Sequence, residues 1–426
     1  MIPADLAVVG ISELATPEGN KVRIGPDLGR IRVIRDAAVA CRDGVFVFVG
    51  EERDFRQAVT MEPGGIVVHG GGGTALPGFV DAHTHLPFAG WRESEFEERL
   101  QGATYAEIAG RGGGILSTVK ATRAASEAQL TETVRARLDS LLALGTTIVE
   151  AKSGYGLEPE TEEKQLRALR EASIGHPVEV VPTFLGAHTI PAEHKASREL
   201  YVRRLVEEMI PRVAEGRLAE YADAFVDKTA FTPAEARRVL ETAREHGLGV
   251  RLHADQFQDD GAARLAADLS AASADHLEYA SDEGIAALAR AGTCGVLLPA
   301  ATFFLGMERR PPARRLVDAG VGVVVATDFN PGSCPAESMG AAIWFACLQA
   351  GLSVDEAITA STLNAAHALG RAERAGSVEV GKRADLVVHA VPNRYHLVYR
   401  FGVQRVRNVV AGGRMRVGDG QRALGS

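Results

Sequence analysis

Short apolar runs recur along the middle of the chain, and longer segments with helical periodicity lie between them. The runs predict eight strands, at residues 75–82, 146–151, 178–185, 222–226, 249–253, 273–276, 295–299 and 321–327. The intervening segments predict helices, among them residues 127–144, 160–172 and 233–246. A repeated strand-then-helix order implies parallel strands joined by right-handed crossovers. Eight unevenly spaced repeats predict an α/β protein built on a distorted (β/α)8 TIM-like barrel.

The two ends of the chain follow a different pattern. Alternating apolar and polar residues before about residue 70 and after about residue 375 predict short strands. Asp43-Gly44 predicts a hairpin turn, and Gly70 to Gly73 predict a joint, because glycine weakens the interior of a helix or strand. We therefore predict a small β-sandwich domain made of residues 1–73 and 375–426, and a barrel domain of residues 74–374.

The composition of the 426-residue chain, 46% hydrophobic and 24% charged, is ordinary for a soluble globular protein. A net charge of −8, without a block of Lys or Arg, argues against a nucleic-acid partner. No apolar run approaches the ~20 residues of a membrane span, and the first residues do not resemble a signal peptide. We therefore expect a cytoplasmic protein without membrane contact, whose four cysteines are reduced because they lack any CxxC spacing.

Polar residues collect where the predicted strands end, which is the face of such barrels that carries the chemistry. The residues at these ends are His83, His85, Lys152, Tyr155, His188, His253, His276 and Asp328. A lone histidine after a strand is more often a structural hydrogen-bonding residue than a ligand. Five of the twelve histidines on one rim favour a shared functional site instead.

Four of these residues form a plausible metal-binding set: His83, His85, His253 and Asp328. Three imidazoles and one carboxylate suit one Zn2+, Fe2+ or Fe3+ ion. Such an ion would lower the pKa of a bound water towards ~7, and Asp328 could both bind the ion and take a proton from the water. The pattern favours hydrolysis, since no glycine-rich phosphate loop supports a nucleotide cofactor.

Longer motifs give the chain a family resemblance. "PGFVDAHTH" (77–85), "STLNAAHALG" (361–370) and "GSVEVGKRADLVV" (376–388) resemble the amidohydrolase superfamily. The resemblance implies a distorted (β/α)8 barrel flanked by a β-sandwich built from both ends of the chain. It covers nearly the whole sequence.

A narrower resemblance is to the imidazolonepropionase family. It rests on Arg92, seven residues after His85, and on the motifs "KSGYGL", "FLGAHT", "LHADQ", "DHLEY" and "TDFNPGS". The resemblance implies hydrolytic opening of the ring of 4-imidazolone-5-propanoate, giving N-formimidoyl-L-glutamate in histidine degradation. It also implies a homodimer.

The substrate's propanoate needs a cation, which Arg92 could supply bidentately, and the Tyr155 hydroxyl could add a hydrogen bond. His188 could bind the ring or the developing oxyanion, and His276 could hold or shuttle a proton. The resemblance implies that the loop after the eighth strand contacts the formimidoyl-glutamate part of the product through Asn330, Gly332 and Ser333. The structural alternatives are a surface salt bridge for Arg92, a packed aromatic for Tyr155 and a turn for Gly332.

Two residues bear on rival functions. Gln256 stands three residues after His253, where deaminases of the superfamily usually carry a proton-donating Glu, so it argues against deamination and is expected to bind the substrate ring. Lys152 raises the alternative of a binuclear cyclic amidase, in which a carboxylated lysine bridges two metals. A third alternative is a catalytically inactive relative that only binds a ligand, which the full ligand set disfavours. Whether Asp328 or His276 is the main proton shuttle stays open.

Overall fold

A computed structural model describes residues 1–103, 107 and 112–418, and their strands form two sheets. The small sheet contains β1 (Ile2–Thr16), β2 (Arg32–Arg42), β3 (Val45–Glu51), β4 (Val59–Pro77), β13 (Leu386–His389), β14 (Val406–Ala411) and β15 (Arg414–Val417). The large sheet contains β5 (Phe79–Asp81), β6 (Thr146–Lys152), β7 (Glu179–Ala187), β8 (Tyr221–Phe225), β9 (Gly249–Ala254), β10 (Ser273–His276), β11 (Cys294–Leu297) and β12 (Val323–Val325). Helices lie between successive strands of the large sheet and between some of those of the small sheet.

The large sheet is a parallel barrel whose eight strands pair in chain order from β5 to β12. Its two edge strands meet just beyond their ends, where Thr84 forms a bridge with Phe329. Asp81 strengthens this junction because its carboxylate accepts hydrogen bonds from the Thr327 amide at 3.1 Å and the Thr327 hydroxyl at 2.6 Å. The barrel is therefore nearly closed at the end where the predicted site residues lie.

Seven of the eight predicted barrel strands agree with the observed ones to within a few residues, and the predicted fold class is confirmed. The first differs, because residues 75–82 belong to two strands in two sheets. The chain changes sheets at Gly78, where a Cβ atom would lie 2.4 Å from the Thr147 hydroxyl. Only glycine fits this close passage, and Pro77-Gly78 was the signal of a break within residues 75–82.

Helices cover the outside of the barrel and fill the connections. Three of them begin with capping boxes at Ser126, Thr232 and Ser353. In the described residues the α-helices are Glu52–Ala58, Glu93–Leu100, Ile115–Ala124, Glu127–Ala143, Pro159–Ser173, Arg198–Arg204, Ile210–Glu215, Pro233–Glu245, Ala262–Asp268, Asp282–Ala291, Pro299–Phe304, Ala313–Asp318, Met339–Leu348, Val354–Ala360, Leu363–Ala368 and His396–Tyr399. The three helices predicted above are among them, with ends that differ by one residue at most.

The small sheet joins both ends of the chain, in the order β15-β14-β13-β4-β1-β2-β3. β1 and β4 are parallel, and β2 and β3 form the predicted hairpin, in which Asp43 and Gly44 both have positive φ. The expectation for Gly70 to Gly73 was wrong, since these residues lie inside β4. The pairing of β1 with β4 shifts register there, so the glycines allow an irregular strand and not a break.

The predicted division of the chain into a domain of residues 1–73 with 375–426 and a domain of residues 74–374 stays a proposal, and residues 419–426 lie outside the described part.

The four cysteines are free thiols, with Cys347 partly exposed and the others buried. Within the ranges that the structure describes, none of the helices has both the length and the apolar character needed to cross a bilayer.

Candidate active site

The predicted metal ligands converge at the carboxyl ends of the barrel strands. His83 and His85 follow β5, and the closing strand places Asp328 beside them through a hydrogen bond from its amide to the His83 carbonyl at 3.1 Å. Oδ1 of Asp328 lies 3.5 Å from Nε2 of His83 and 3.6 Å from Nε2 of His85. The ring of His253, from β9, lies 4.5 Å from that of His83, centroid to centroid. Strands far apart in sequence therefore bring four buried side chains with metal-binding atoms together.

These donors fit a metal ion. Ligand atoms of His83, His85 and His253 lie within 4.8 Å of one another, and so do those of His83, His276 and Asp328. Nε2 of His83 is buried without a hydrogen-bond partner, which is costly unless another group binds it. Burial holds the pKa of His83 and His85 well below the usual value, so both imidazoles are neutral and able to bind a cation.

Asp328 combines a raised pKa with an unusual backbone. Burial raises the pKa of its carboxyl to about 7, although the nearby His253, Asn330 and Ser333 side chains oppose the shift. Its φ of +58° lies in the left-handed region that non-glycine residues seldom adopt. Raised carboxyl pKa values and strained backbone are both frequent in functional sites.

His276 ends β10 beside the same cluster, with its ring centroid 5.4 Å from that of His253. Its φ is +80° and that of Leu277 is +71°, so two consecutive residues are strained where the strand ends. Nδ1 of His276 is buried without a hydrogen-bond partner and lies 3.9 Å from Oε2 of Glu278, which is likewise unpartnered. Burial keeps the pKa of His276 well below the usual value, so the ring is a neutral base.

His188 and Tyr155 form one wall of the site. The His188 ring stacks on that of His85 at 5.3 Å, and the Tyr155 ring lies 5.3 Å from His188. Nδ1 of His188 donates to the Gly154 carbonyl at 2.9 Å, and the surrounding protein lowers the pKa of His188 to about 3 by desolvation. Neutral His188 therefore offers Nε2 only as an acceptor, which suits a ring N–H better than an oxyanion.

Arg92 lies beside the loop that follows the eighth strand. It precedes helix Glu93–Leu100, and its Nε donates to Oε2 of Glu95 at 2.8 Å. A Cβ atom at Gly332 would lie 2.1 Å from Nη1 of Arg92, so the guanidinium rests directly against this glycine. The structure thus brings Arg92 into contact with Gly332, which lies 240 residues later in the sequence.

Asn330 organises that loop. Its amide nitrogen donates to the Asp328 carbonyl and the Ser333 hydroxyl, both at 2.7 Å, and its oxygen accepts from the amides of Gly332 and Ser333, both at 2.8 Å. These four bonds use the side chain's hydrogen-bonding capacity. Ser333 in turn donates to Oδ2 of Asp328 at 3.3 Å. In this conformation Asn330 holds the loop in shape, and a substrate contact would require its side chain to exchange partners.

Gln256 lies three residues beyond His253 in the turn after β9, and it is buried. The residue before it, Asp255, has a φ of +51° and accepts hydrogen bonds from the amides of Ala262 and Ala263. The carboxylate of Asp255 thus fixes the turn that carries Gln256.

Sequence analysis missed the carboxylates behind two of the histidines. Nδ1 of His83 lies 2.6 Å from Oδ2 of Asp275, and Nδ1 of His253 lies 3.1 Å from Oδ2 of Asp223. Both acids are buried within barrel strands, where an uncompensated charge is expensive. An acid inside an otherwise apolar run was the signal available in the sequence.

Lys152 is an ion-pair partner and not a ligand in this arrangement. Its Nζ lies 2.7 Å from Oε1 of Glu150 and 2.9 Å from Oδ2 of Asp223. Although burial opposes the charge, these two carboxylates raise the pKa of Lys152 above its usual value. A charged ammonium cannot react with carbon dioxide, so these contacts disfavour the carboxylated lysine of a binuclear centre.

The chain is similar to known proteins over nearly its whole length. The Amidohydrolase family matches residues 74–416. An imidazolonepropionase from Symbiobacterium thermophilum is 50% identical over 99% of both chains. Another, from Geobacillus kaustophilus, is 48% identical over 93% of this chain and 92% of its own.

Solved structures share the fold at low sequence identity. A zinc-bound adenosine deaminase from Xanthomonas campestris superposes with a TM-score of 0.74 at 21% identity, covering 99% of this chain and 95% of its own. An atrazine chlorohydrolase from Arthrobacter aurescens complexed with zinc gives a TM-score of 0.67 at 18% identity, covering 99% and 97%. These likenesses concern the fold, whereas the full-length relatives identify the family. The chain belongs to the imidazolonepropionase family of amidohydrolases.

Proposed function

We propose that the residues at the carboxyl ends of the barrel strands hydrolyse the ring amide of 4-imidazolone-5-propanoate and give N-formimidoyl-L-glutamate. The observation that carries the proposal is the convergence of the His83, His85 and His253 imidazoles and the Asp328 carboxyl in a chain of this family. The reaction is a hydrolysis, so water adds to the ring carbonyl carbon and the carbon–nitrogen bond breaks.

One metal ion, Zn2+ or iron, would be held by His83, His85, His253 and Asp328. A bound ion supplies a Lewis acid and a water of lowered pKa. The buried, unpartnered Nε2 of His83 and the neutral imidazoles of His83 and His85 support this assignment. A single ion is proposed because Lys152, the candidate bridge to a second ion, is occupied by the acids around it.

Asp328 would take a proton from the attacking water and deliver it to the ring nitrogen as the carbon–nitrogen bond breaks. Oδ1 of Asp328 lies 3.5 Å from Nε2 of His83 and 3.6 Å from Nε2 of His85, which would place the carboxyl beside an attacking water at the ion. His276 is the second candidate for this shuttle, because its ring is neutral and lies beside the same cluster. Both groups return to their starting protonation states at the end of the cycle.

The substrate would be oriented by residues on opposite sides of the cluster. Arg92 would pair with the propanoate, and the Tyr155 hydroxyl would add a hydrogen bond. Nε2 of His188 would accept a hydrogen bond from a ring N–H, and Gln256 would bind the ring on the side of His253. Gly332 and Ser333 would face the formimidoyl-glutamate part of the product, with Asn330 shaping the loop around it.

The homodimer and the cytoplasmic location belong to this proposal as well. The dimer rests on the family resemblance, and the location rests on the composition and on the four free cysteines. Sedimentation equilibrium of the purified protein tests the dimer, since a monomer of half the expected mass would contradict it.

The decisive experiment follows the absorbance of imidazolone propanoate with purified enzyme whose metal content is known. We expect turnover, about one metal per chain, and loss of activity on chelation that either Zn2+ or Fe2+ restores. Arg92→Met should mainly raise KM, because a charge-assisted hydrogen-bonded pair contributes about 1.5–3 kcal/mol. Exposed Arg290→Met is the control.

Three outcomes would contradict parts of this proposal. If the metal-replete enzyme did not turn over imidazolone propanoate, the substrate assignment would be rejected. About two metals per chain would favour the binuclear alternative, and unchanged kinetics in Arg92→Met would place the carboxylate elsewhere.

A further inference from the structure

A cluster of charged side chains lies inside the barrel, directly behind the histidines of the site. All its members are essentially inaccessible to solvent, and they come from four strands of the barrel, β6, β8, β9 and β10. They are Glu150, Lys152, Asp223, Arg251 and Asp275. Three carboxylates face two cations, so the cluster has one more acid than base. Buried ion pairs are weak evidence of stabilisation, because desolvation can exceed the Coulombic gain. A cluster of five therefore calls for a functional explanation.

Two of the acids touch metal-site histidines through the same ring atom. Asp275 contacts Nδ1 of His83 at 2.6 Å, and Asp223 lies 3.1 Å from Nδ1 of His253. Asp223 also accepts a hydrogen bond from the His253 amide at 3.2 Å, so it holds both the backbone and the ring side of that residue. A carboxylate on Nδ1 of His83 would hold the proton there and leave the lone pair of Nε2 for a cation, and the Asp223 carboxylate beside Nδ1 of His253 would favour the same tautomer in that ring.

Lys152 connects these two acids. Its Nζ lies 2.9 Å from Oδ2 of Asp223 and 3.8 Å from Oδ2 of Asp275, the same oxygens that face the histidines. Arg251 supports Asp275 from the other side, with Nη2 at 3.7 Å, while donating to the Ala82 carbonyl at 2.9 Å. Ala82 immediately precedes His83, so the same guanidinium fixes the backbone that carries the first ligand.

We infer that Asp275 and Asp223 are positioning residues for His83 and His253, and that Lys152 fixes both carboxylates as their shared counter-ion. The inference rests on the metal site of the proposed function. Two ligands on strands that are 170 residues apart in sequence are oriented by one buried ammonium. The cluster would thus set metal affinity and ligand geometry without touching substrate.

The test compares Asp275→Asn and Asp223→Asn with the wild-type protein in a chelator competition with Zn2+ and in the visible spectrum after reconstitution with Co2+. We expect metal affinity to fall by about 10- to 100-fold in each variant, the usual effect of losing such a carboxylate, and the Co2+ bands to shift. Asp385→Asn is the matched control, because this buried carboxylate contacts the Gly412 amide and Arg383 and no histidine. Its affinity and spectrum should not change.

A single substitution in the cluster could prevent folding, so Lys152→Met/Asp275→Asn is made alongside the single variants. This double variant removes one positive and one negative charge, so the net charge of the cluster does not change. Circular dichroism establishes which variants fold. Because Lys152 is proposed to act through the carboxylates, the affinity losses of Lys152→Met and Asp275→Asn should not add in the pair.

The outcomes separate this inference from the proposed function. Wild-type protein that binds neither Zn2+ nor Co2+ would reject the metal site itself. Wild-type protein that binds both, with folded Asp275→Asn and Asp223→Asn variants of unchanged affinity and spectrum, would reject only the positioning role. Additive losses in the pair would reject Lys152 as the shared counter-ion.

Discussion

The guanidinium of Arg92 rests against Gly332, so closely that a Cβ atom on that glycine would lie 2.1 Å from Nη1. The contact joins the segment after the first barrel strand to the loop after the eighth. It means that the proposed propanoate-binding cation depends on the absence of a side chain at position 332.

Gly332→Ala should displace Arg92 without unfolding the loop. The atom that a methyl group would meet is the end of a flexible side chain, and Gly332 does not have a positive φ. We expect KM to rise by roughly tenfold, equivalent to about 1.4 kcal/mol of lost binding, with a smaller change in kcat. Steady-state kinetics measures both. Gly29→Ala is the control, because its methyl group would meet Glu356 at an ordinary 3.4 Å, and equal KM values in the two variants would refute the prediction.

Asp328→Asn should abolish turnover, because it removes a proposed ligand and a proposed base together. Loss of a general base alone typically costs about 10²–10⁴-fold in rate. Kinetics and metal content are measured on the same preparation, with Asp318→Asn at an exposed helix end as the control. If Asp328→Asn kept most of its kcat, the base would have to be another group, and His276→Ala would be the next variant.

Glu162→Gln should loosen the loop that presents Tyr155. The Glu162 carboxylate is buried in helix Pro159–Ser173 and accepts hydrogen bonds from the amides of Gly154 at 2.9 Å and of Gly156 and Leu157 at 2.8 Å. An amide offers one acceptor oxygen, so at least one buried N–H loses its partner, at a cost of about 1–3 kcal/mol. We expect a lower unfolding temperature and a higher KM.

The control for this variant is the neighbouring residue. Glu163 forms ion pairs with Arg167 and Arg212 at the partly exposed helix surface, where such pairs contribute about 0–1 kcal/mol. Glu163→Gln should therefore change neither quantity by much. Equal losses of stability in the two variants would show that the carboxylate at position 162 is not holding the loop.

His389 should make stability depend on pH. Desolvation lowers its pKa to about 4 in the folded protein, from an ordinary value of 6.5. Between these values the unfolded chain binds more protons, so stability is complete above pH 6.5 and falls as the pH drops towards 4. A shift of that size corresponds to about 3 kcal/mol. His389→Gln should flatten this part of the profile in urea unfolding from pH 4 to 8, whereas exposed His246→Gln should leave it unchanged.

Much of the architecture could be predicted from local pattern. Seven barrel strands and three helices lie where periodicity placed them, because a buried parallel strand needs a short apolar run and an amphipathic helix needs its stripe. Position 78 shows the limit of that reasoning. At Gly78 the chain passes from one sheet to the other and packs against Thr147, and no local sequence pattern predicts this contact between distant segments. The glycines at 70–73 were misinterpreted for the same reason, since their irregular strand is held by β1.

For the candidate site too, some features could be predicted from the sequence and others only from the tertiary structure. The sequence by itself supplied the residue types, because histidines and an aspartate placed at strand ends are expensive to bury without a purpose. Tertiary structure decided which groups touch: Arg92 against Gly332, and Asp275 and Asp223 behind His83 and His253. It also showed Lys152 as a counter-ion, a role that depends on Asp223 and Asp275 from other strands as well as on Glu150 of its own strand. Residue chemistry is local and readable in one dimension, whereas charge balance and orientation arise only when closing the barrel brings distant strands within a few ångströms.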